Sequence, residues 1–307
     1  MKKTKLILSF VVVAFANVCV MTGCSKEQTT NQTTTLEESS KNSLDISNER
    51  NPYDFCGRIH NELLDYVITN NPRPSYQDIY SLSQEYLYNQ YGVSTKLTFN
   101  DINNDYNSVA DYILGAFIND TSSSAILNRE ILTDAFNTLV NYSKSIISSN
   151  FLPSPKEYAN YLIEQEDRFV EKIKTEGISP EKVSQYEIAL GAFAVARYSY
   201  SYWFTVVNDS NNAWNFVKKN TKRQDGEDPK PGFWKKLWNG VCEVVGTVAE
   251  VVVKAVVTPI VDAGGFMYGA ATHSYHTPGE EGFGFNGSSW LSNGIHVAGE
   301  CSGSIWD

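Results

Sequence analysis

Cys56 and His60 are the residues whose types and spacing come nearest to nucleophilic catalysis. A separation of four places both side chains on one face of a helix, where a histidine can activate a thiol, with Asp54 or Asp65 near enough to orient the imidazole. The same face also carries apolar residues, and no obvious neighbour lowers the pKa of the thiol. We therefore expect a buried thiol and a core histidine, and keep a Cys56/His60 hydrolase as an alternative.

Four residues near the C-terminus have the chemistry of zinc ligands, namely His273, His276, His296 and Cys301. Imidazole nitrogen and thiolate sulfur are usual zinc donors, and glycine-rich loops can gather distant ligands. However, the two-residue gap between the first two histidines is not diagnostic, and the other donors are far along the chain. We expect no bound metal. A hydrolase that uses a zinc site in the tail is kept as part of the same alternative as the Cys56/His60 hydrolase.

Two glycine motifs match known active-site patterns in sequence but lack the neighbouring elements or residues that those sites require. Residues 282–287 read Gly-Phe-Gly-Phe-Asn-Gly, the dinucleotide-binding expression, but neither the preceding strand nor the following helix is predicted. Residues 299–303 read Gly-Glu-Cys-Ser-Gly, similar to a nucleophile elbow, but no histidine follows in the chain. We therefore predict no cofactor and assign no catalytic residue.

A basic and apolar leader precedes Cys24. Its apolar stretch, Leu6 to Val20, is shorter than a typical membrane-spanning helix and follows three lysines, as in a signal peptide. The last leader residues, Val20-Met21-Thr22-Gly23, together with Cys24 resemble the lipobox of bacterial lipoproteins. The resemblance implies cleavage before Cys24, lipidation of its sulfur and acylation of its amino group, so that acyl chains hold residues 24–307 at a membrane.

Residues 24–50 contain almost no apolar side chains and are predicted to form a disordered tether. A flexible coil of this length spans roughly 30 Å, enough to hold a folded body clear of the lipid headgroups. Lys26-Glu27, directly after the lipobox, resembles part of the charged signals that export some lipoproteins to the cell surface. We expect a location in the cell envelope, at the outer membrane, with surface display as a possibility.

Charge and cysteine content restrict the partners and the redox state. Removing residues 1–23 takes away three lysines and leaves 22 basic and 35 acidic residues, a formal charge of −13. Nucleic acid is therefore not an expected partner. With Cys24 lipidated, Cys56, Cys242 and Cys301 remain, and they allow one internal disulfide with three possible pairings.

Apolar residues recur at intervals of three and four from Asn51 to about Asn220, which predicts an all-α fold. Residues 188–207 are apolar or aromatic nearly all round, so we expect this helix to form the centre of an irregular antiparallel bundle, residues 51–220. The predicted helices cover residues 51–70, 75–91, 102–117, 126–147, 154–177 and 180–207. Caps at Asn51, Ser154 and Ser179 mark three of the starts, and Gly92 and Gly177 mark two of the ends.

The rest of the chain divides into three predicted segments. Residues 221–232 form a polar linker. Residues 233–271 are rich in valine, yet their polar residues recur at intervals of three and four, which predicts a helix with one polar stripe that Pro259 interrupts. Residues 272–307 alternate glycines with aromatics and are predicted to form a loop-rich tail with room for a hairpin.

A second resemblance covers the start of the predicted bundle. The pattern Asn51-Pro52-Tyr53-Asp54, Gly57, His60-Asn61 and Leu64-Asp65-Tyr66 is similar to the opening of a group of uncharacterised bacterial secreted proteins and lipoproteins. Residues 196–199, 202–203 and 262–265 are similar to later parts of the same group. The resemblance implies a shared architecture and carries over no functional residue.

These observations predict a lipid-anchored extracytoplasmic interaction module that presents a tyrosine- and asparagine-rich surface to an envelope protein or glycan. The eighteen tyrosines motivate this function, because each side chain combines a flat apolar face with a hydroxyl. The alternative is a membrane-active protein, similar to toxins and bacteriocins, that acts through residues 233–271. Against it, Glu250 and Lys254 together cost about 5 kcal/mol at a bilayer centre, whereas ten valines contribute roughly −3 kcal/mol.

Overall fold

Helices make up most of the structure, a computed structural model that describes residues 46–93, 97–101, 108–109, 112–113, 115, 129–174, 177–209, 211–212, 214, 250–272 and 289–306. These residues are 82% helical and contain no strand, which confirms the all-α prediction. The bounded helices are α1 (Phe55–Asn70), α2 (Tyr76–Tyr91), α3 (Glu130–Ser149), α4 (Pro155–Ile173), α5 (Pro180–Asn208), α6 (Glu250–Thr272) and α7 (Ser289–Trp306).

Capping residues set three of the helix starts where the sequence predicts them. Ser75 and Ser154 accept hydrogen bonds from the third backbone amide of α2 and α4, and an acidic residue at that position binds back to the cap. Ser179 caps α5 in a similar way. Gly92 ends α2 with a φ of 65°, a left-handed conformation that glycine adopts without steric cost. Side-chain caps therefore explain why these boundaries are readable from sequence.

The predicted start of α1 at Asn51 is wrong by several residues. The Asn51 side chain accepts a hydrogen bond from the Tyr53 amide and donates one to the Leu190 carbonyl of α5. The side chain is thus committed to a turn and to a long-range contact, and α1 begins only at Phe55.

α5 lies at the centre of the bundle, as its sequence predicts. All residues from 188 to 200 are buried, and the helix contacts α1, α3, α4 and α6. A helix packed on so many sides has no room for a polar face, which is why its apolar residues are not confined to a stripe.

α6 and α7 form an antiparallel helical pair inside the bundle. Residues 255–270 of α6 are buried except for the half-buried Tyr268, and residues 290–303 of α7 are all buried. α6 also contacts α3 and α5, and α7 also contacts α1 and α2. Close packing at glycines holds the pair together, because a Cβ at Gly269 would lie 2.7 Å from the Asn293 carbonyl oxygen. The valine-rich segment is therefore a core helix over residues 250–272, and it continues through Pro259.

The prediction of a loop-rich tail is wrong for residues 289–306, which form α7. Glycine lowers intrinsic helix propensity by about 1 kcal/mol per residue, so local sequence argues against this helix. In the structure, Gly294, Gly299 and Gly303 each face a large side chain of another helix, namely Phe266, Leu63 and Ile79. Tertiary packing against these side chains therefore stabilises a helix that its own sequence does not favour.

The predicted disordered tether also ends earlier than residue 50. Ile46 is buried against Ala159, Ile163 and Tyr198, and the buried Asn48 side chain donates to Glu166 over 2.7 Å. The chain is therefore packed on α4 and α5 from residue 46 onward.

Several predicted features lie outside the described residues: residues 1–45 with Cys24, residues 102–107, the linker at 221–232, residues 233–249 with Cys242, and residues 273–288 with His273 and His276. Cys56 and Cys301 both carry thiols, so none of the three predicted disulfide pairings is formed in the structure. Among the helices that the structure describes, none combines the length and apolar character that crossing a bilayer requires.

Candidate functional site

Four helices bring a buried polar cluster together around Asp262 of α6. The Asp262 carboxylate accepts hydrogen bonds from Ser199 Oγ over 2.5 Å and from Trp203 Nε1 over 3.4 Å, both from α5. His60 of α1 lies with its Nε2 3.6 Å from Asp262 Oδ2 and 3.2 Å from Oγ of Ser302 on α7. All five side chains are buried, with no more than 1% exposure. We call these five residues the Asp262 cluster.

The hydrogen bonds around His60 indicate which ring nitrogen carries the proton. Asn61 donates from Nδ2 to the Tyr198 carbonyl over 2.9 Å, so its Oδ1 is left to accept from His60 Nδ1 at 3.2 Å. His60 Nε2 is then an acceptor that faces Ser302. Burial lowers the pKa of His60 to about 4, although hydrogen bonds with Asn61 and Ala298 act in the opposite direction. His60 is therefore a neutral imidazole.

The order Ser302, His60 and Asn61 matches the connectivity of a nucleophile, a base and an orienting amide. Catalysis also needs a place for the reacting carbonyl and donors for the developing oxyanion. Ser302 lies in the interior of α7 and is completely buried, as is His60. The arrangement therefore acts as a hydrogen-bonded contact between helices.

The predicted pair of Cys56 and His60 is buried, as expected for a core thiol and a core histidine. Among the described contacts, His60 binds Asn61 and Ser302 rather than the thiol. Burial and then the charge of Asp54 raise the pKa of Cys56 well above its usual value. The thiol is therefore protonated and a poor nucleophile.

Two of the four predicted zinc donors, His296 and Cys301, lie within α7 and are completely buried. His296 Nε2 lies 3.7 Å from Glu300 Oε1. The His296 ring stacks on the Tyr80 ring, with 5.2 Å between the ring centres. Burial lowers the pKa of His296 to about 4 and raises the pKa of Glu300 well above its usual value. Among the described residues, no group of three or more potential ligands could hold a metal ion.

A second buried cluster joins the start of the body to α4 and α5. Arg197 of α5 is completely buried and donates to Glu166 Oε1 over 3.0 Å and Oε2 over 3.1 Å, and also to Asp54. Tyr198 donates to the second oxygen of Asp54 over 2.9 Å, and Asn48 donates to Glu166. Burial raises the pKa of Glu166, and Arg197 opposes that shift. This ion pair network orders the chain where it enters the folded body.

An open groove of about 610 Å³ lies between α3, α4 and Arg50 in the part of the chain that the structure describes. Arg50 binds Asp167 over 2.6 Å and Glu171 over 2.5 Å. Phe169 is the apolar residue of the lining and is only 6% exposed. The groove is lined by Arg50, Asp134, Thr138, Gln165, Asp167, Arg168, Phe169, Glu171 and Lys172.

The tyrosines serve mainly as packing residues. The rings of Tyr158 and Tyr200 stack in the core with 3.8 Å between their centres. Beside them, the rings of Tyr142 and Tyr161 stack with 3.7 Å between their centres. Tyr88, with 62% exposure, is the strongly exposed one among the described tyrosines. Among the described residues, the groove offers a concave surface that is open to a ligand and is not lined by tyrosine.

Sequence reasoning found His60 and Cys56 but missed both the Asp262 cluster and the groove. Ser199, Asp262 and Ser302 are separated by 40 residues or more, and no local pattern predicts that three helices bring them together. One short segment, residues 51–61, contains four residues that make contacts between helices or across the start of the body: Asn51, Asp54, His60 and Asn61.

Comparison with known proteins adds no relative, because no family model, curated protein or solved structure matches this chain.

Replacing Asp262 with asparagine is expected to change how stability depends on pH. Burial raises the pKa of Asp262 to about 7, against the hydrogen bonds from Ser199 and Trp203. An aspartate in the unfolded chain titrates at about pH 4. The protonated Asp262 carboxyl therefore stabilises the folded state fully below that pH, and this stabilisation is lost as the pH rises through about 7. Asparagine does not titrate. The unfolding free energy of Asp262→Asn, relative to wild type, should therefore rise by up to about 4 kcal/mol between pH 4 and pH 8.

Urea unfolding at a series of pH values measures this difference. Glu164→Gln, which removes an exposed carboxylate of α4, is the matched control, and its difference from wild type should vary much less with pH because solvent screens an exposed charge. An equally small variation for Asp262→Asn would show that Asp262 is not protonated in the folded state.

Proposed function

We propose that this chain is a lipid-anchored protein of the cell envelope that binds a protein or glycan ligand in the groove between α3 and α4. One observation carries the binding function: the open groove is lined by hydrogen-bonding and charged side chains, whereas the buried clusters have no surface to offer. A groove of this volume falls within the range of about 300–1,000 Å³ that ligand sites occupy.

The position of the groove supports an anchored binding protein. Arg50 lies at the junction between the predicted tether and the body, and it forms one edge of the groove. The buried contacts of Asn48 and Asp54 hold that junction in a defined conformation. With the predicted tether joined to the body beside it, the groove would stay within reach of envelope ligands while the body stands clear of the lipid headgroups.

The two alternatives have less support. A hydrolase would need Cys56 or His60 in a cleft, and both side chains are completely buried. A membrane-active segment would need α6 to leave its partners, and Val256, Ile260 and Phe266 of that helix are buried in the core. Dye release from phospholipid vesicles by the purified chain would favour the membrane-active alternative over a binding function.

Metabolic labelling tests the anchor. The wild-type chain should incorporate a clickable palmitate and fractionate with membranes, and Cys24→Ala should lose both properties, because the acyl chains attach at that residue. Cys19→Ala is the matched control, since Cys19 lies within the leader and should leave labelling intact. A wild-type chain that takes up no label and fractionates with soluble proteins would contradict the proposal.

Ligand binding is tested with the full-length chain in detergent micelles, on glycan arrays and in pull-downs from envelope fractions. Thr138→Trp places a large uncharged side chain into the groove from α3 and should abolish binding. Tyr88→Ala removes the exposed tyrosine of α2 and should leave binding unchanged. Loss of binding in Tyr88→Ala but not in Thr138→Trp would move the site to the tyrosine surface and contradict a groove site.

A further inference from the structure

The charges of the groove are not equally available to a ligand. Arg50 engages both Asp167 and Glu171, and Lys174 binds Glu171 over 3.1 Å. These two carboxylates therefore already have cationic partners. Exposed ion pairs of this kind contribute little to stability, but they neutralise the acidic side of the groove locally.

Two other cations of α4, Arg168 and Lys172, also line the groove. Arg168 and Lys172 are separated by four residues, so they lie on one face of the helix, and both are exposed. Arg168 donates to Gln165 over 3.1 Å, while the Lys172 ammonium lies 5.6 Å from the centre of the Phe169 ring and 5.9 Å from that of Tyr186. Among the described contacts, neither cation binds a carboxylate. Beside the carboxylate of Asp134, the groove thus presents two positive charges to an anionic group.

The remaining lining argues against a peptide ligand. Peptide and protein partners are held mainly by aromatic or aliphatic anchors in apolar pockets. The groove has Phe169 as its apolar side chain, and only 6% of that residue is exposed. Asp134, Thr138 and Gln165 instead offer acceptors and donors of the kind that bind hydroxyl groups.

We infer that the ligand of the groove is a saccharide that carries carboxylate groups. This inference rests on the proposed binding function and specifies its ligand. The sugar carboxylate binds Arg168 and Lys172, and the ring hydroxyls donate to Asp134 and Thr138 and accept from the Gln165 amide. Because the guanidinium of Arg168 is planar and offers paired donors, it is suited to bind a carboxylate through two hydrogen bonds.

The test uses two matched oligosaccharides, an oligogalacturonate and its methyl ester, with the full-length chain in micelles and calorimetry as the readout. Hydrogen bonds to charged groups contribute about 1.5–3 kcal/mol, so the ester should bind at least about tenfold more weakly. Arg168→Gln and Lys172→Gln should each weaken oligogalacturonate binding by a similar factor. Lys182→Gln, an exposed cation at the start of α5, should have no effect. Raising the salt concentration should weaken binding of the acid and leave that of the ester unchanged.

The outcomes separate this inference from the proposed function. Equal binding of acid and ester, lost in Thr138→Trp but retained in Arg168→Gln, would overturn the carboxylate requirement and leave a groove that binds glycans. Competition by oligoglutamate as strong as by oligogalacturonate would overturn the saccharide assignment in favour of an acidic peptide. Absence of binding to every glycan and envelope protein offered would overturn both the inference and the proposed function.

Discussion

Replacing Arg197 with methionine is expected to lower the free energy of unfolding by about 3–5 kcal/mol. Arg197 is completely buried and binds both Glu166 and Asp54. Methionine fills a similar volume but offers no donor, so it leaves the buried carboxylate of Glu166 with the Asn48 amide as its remaining strong partner. An uncompensated buried charge is costly because the protein interior solvates it poorly.

Arg50→Met is the matched control for this variant. It removes the same side chain from an ion pair with two acidic residues of the same region, but 52% of the Arg50 side chain is exposed. Exposed pairs contribute about 0–1 kcal/mol, so the control should be nearly as stable as wild type. Equal losses in both variants would show that burial of the Arg197 network does not determine its energetic contribution.

A second change separates charge from packing. Adding Glu166→Leu to Arg197→Met removes the buried carboxylate that methionine leaves behind, and the double variant should recover part of the lost stability. Urea unfolding followed by circular dichroism measures the free energy of unfolding of Arg197→Met, Arg50→Met and the double variant. A double variant less stable than Arg197→Met would indicate that Glu166 is retained for its packing and not for its charge.

Gly57→Ala is expected to destabilise the chain by about 3 kcal/mol, although alanine is the better helix former by about 1 kcal/mol. An added Cβ would lie 2.4 Å from the Ala194 carbonyl oxygen and 2.5 Å from Cδ2 of Tyr198. The first of these atoms belongs to the backbone of α5, so α1 and α5 must move apart to relieve the clash. That movement would also stretch the nearby contact between Asn61 and the Tyr198 carbonyl.

Gly299→Ala tests the same substitution where the neighbour can move. Its added Cβ would lie 2.7 Å from Cδ2 of Leu63, the end of a flexible side chain, and the next atoms are at 3.7 Å. A rotamer change of Leu63 relieves this contact, so the loss of stability should be clearly smaller than in Gly57→Ala. A Gly57→Ala chain as stable as wild type, measured by urea unfolding, would show that α1 and α5 do not pack as closely as described.

The two glycines also show why local sequence can mislead about structure. In the sequence, Gly57 belongs to a segment with a helical pattern, while Gly299 belongs to a segment that is predicted to be a loop. In the fold, both mark places where a helix approaches another helix or its side chains. A glycine inside a helix is explained by its neighbour in space, and that neighbour is 137 residues away for Gly57 and 236 residues away for Gly299.

Local signals were sufficient for the helices that carry their own boundaries. The serine caps at 75, 154 and 179 predict where α2, α4 and α5 begin, because each acts within three residues of itself. The apolar character of residues 188–207 predicts the central position of α5. The groove could not be predicted, because its lining combines Arg50 with residues of α3 and α4 that lie more than 80 residues away.

The sequence by itself determined the helical class, the capped boundaries and the central helix, because these depend on interactions between residues close in the chain. Tertiary structure alone decided that the glycine-rich residues 289–306 form a helix, that Asp262 meets His60 and that Arg197 pairs with two acidic residues. The physical reason is distance along the chain. Buried polar groups and close-packed glycines are stabilised only by partners that folding brings from remote parts of the sequence.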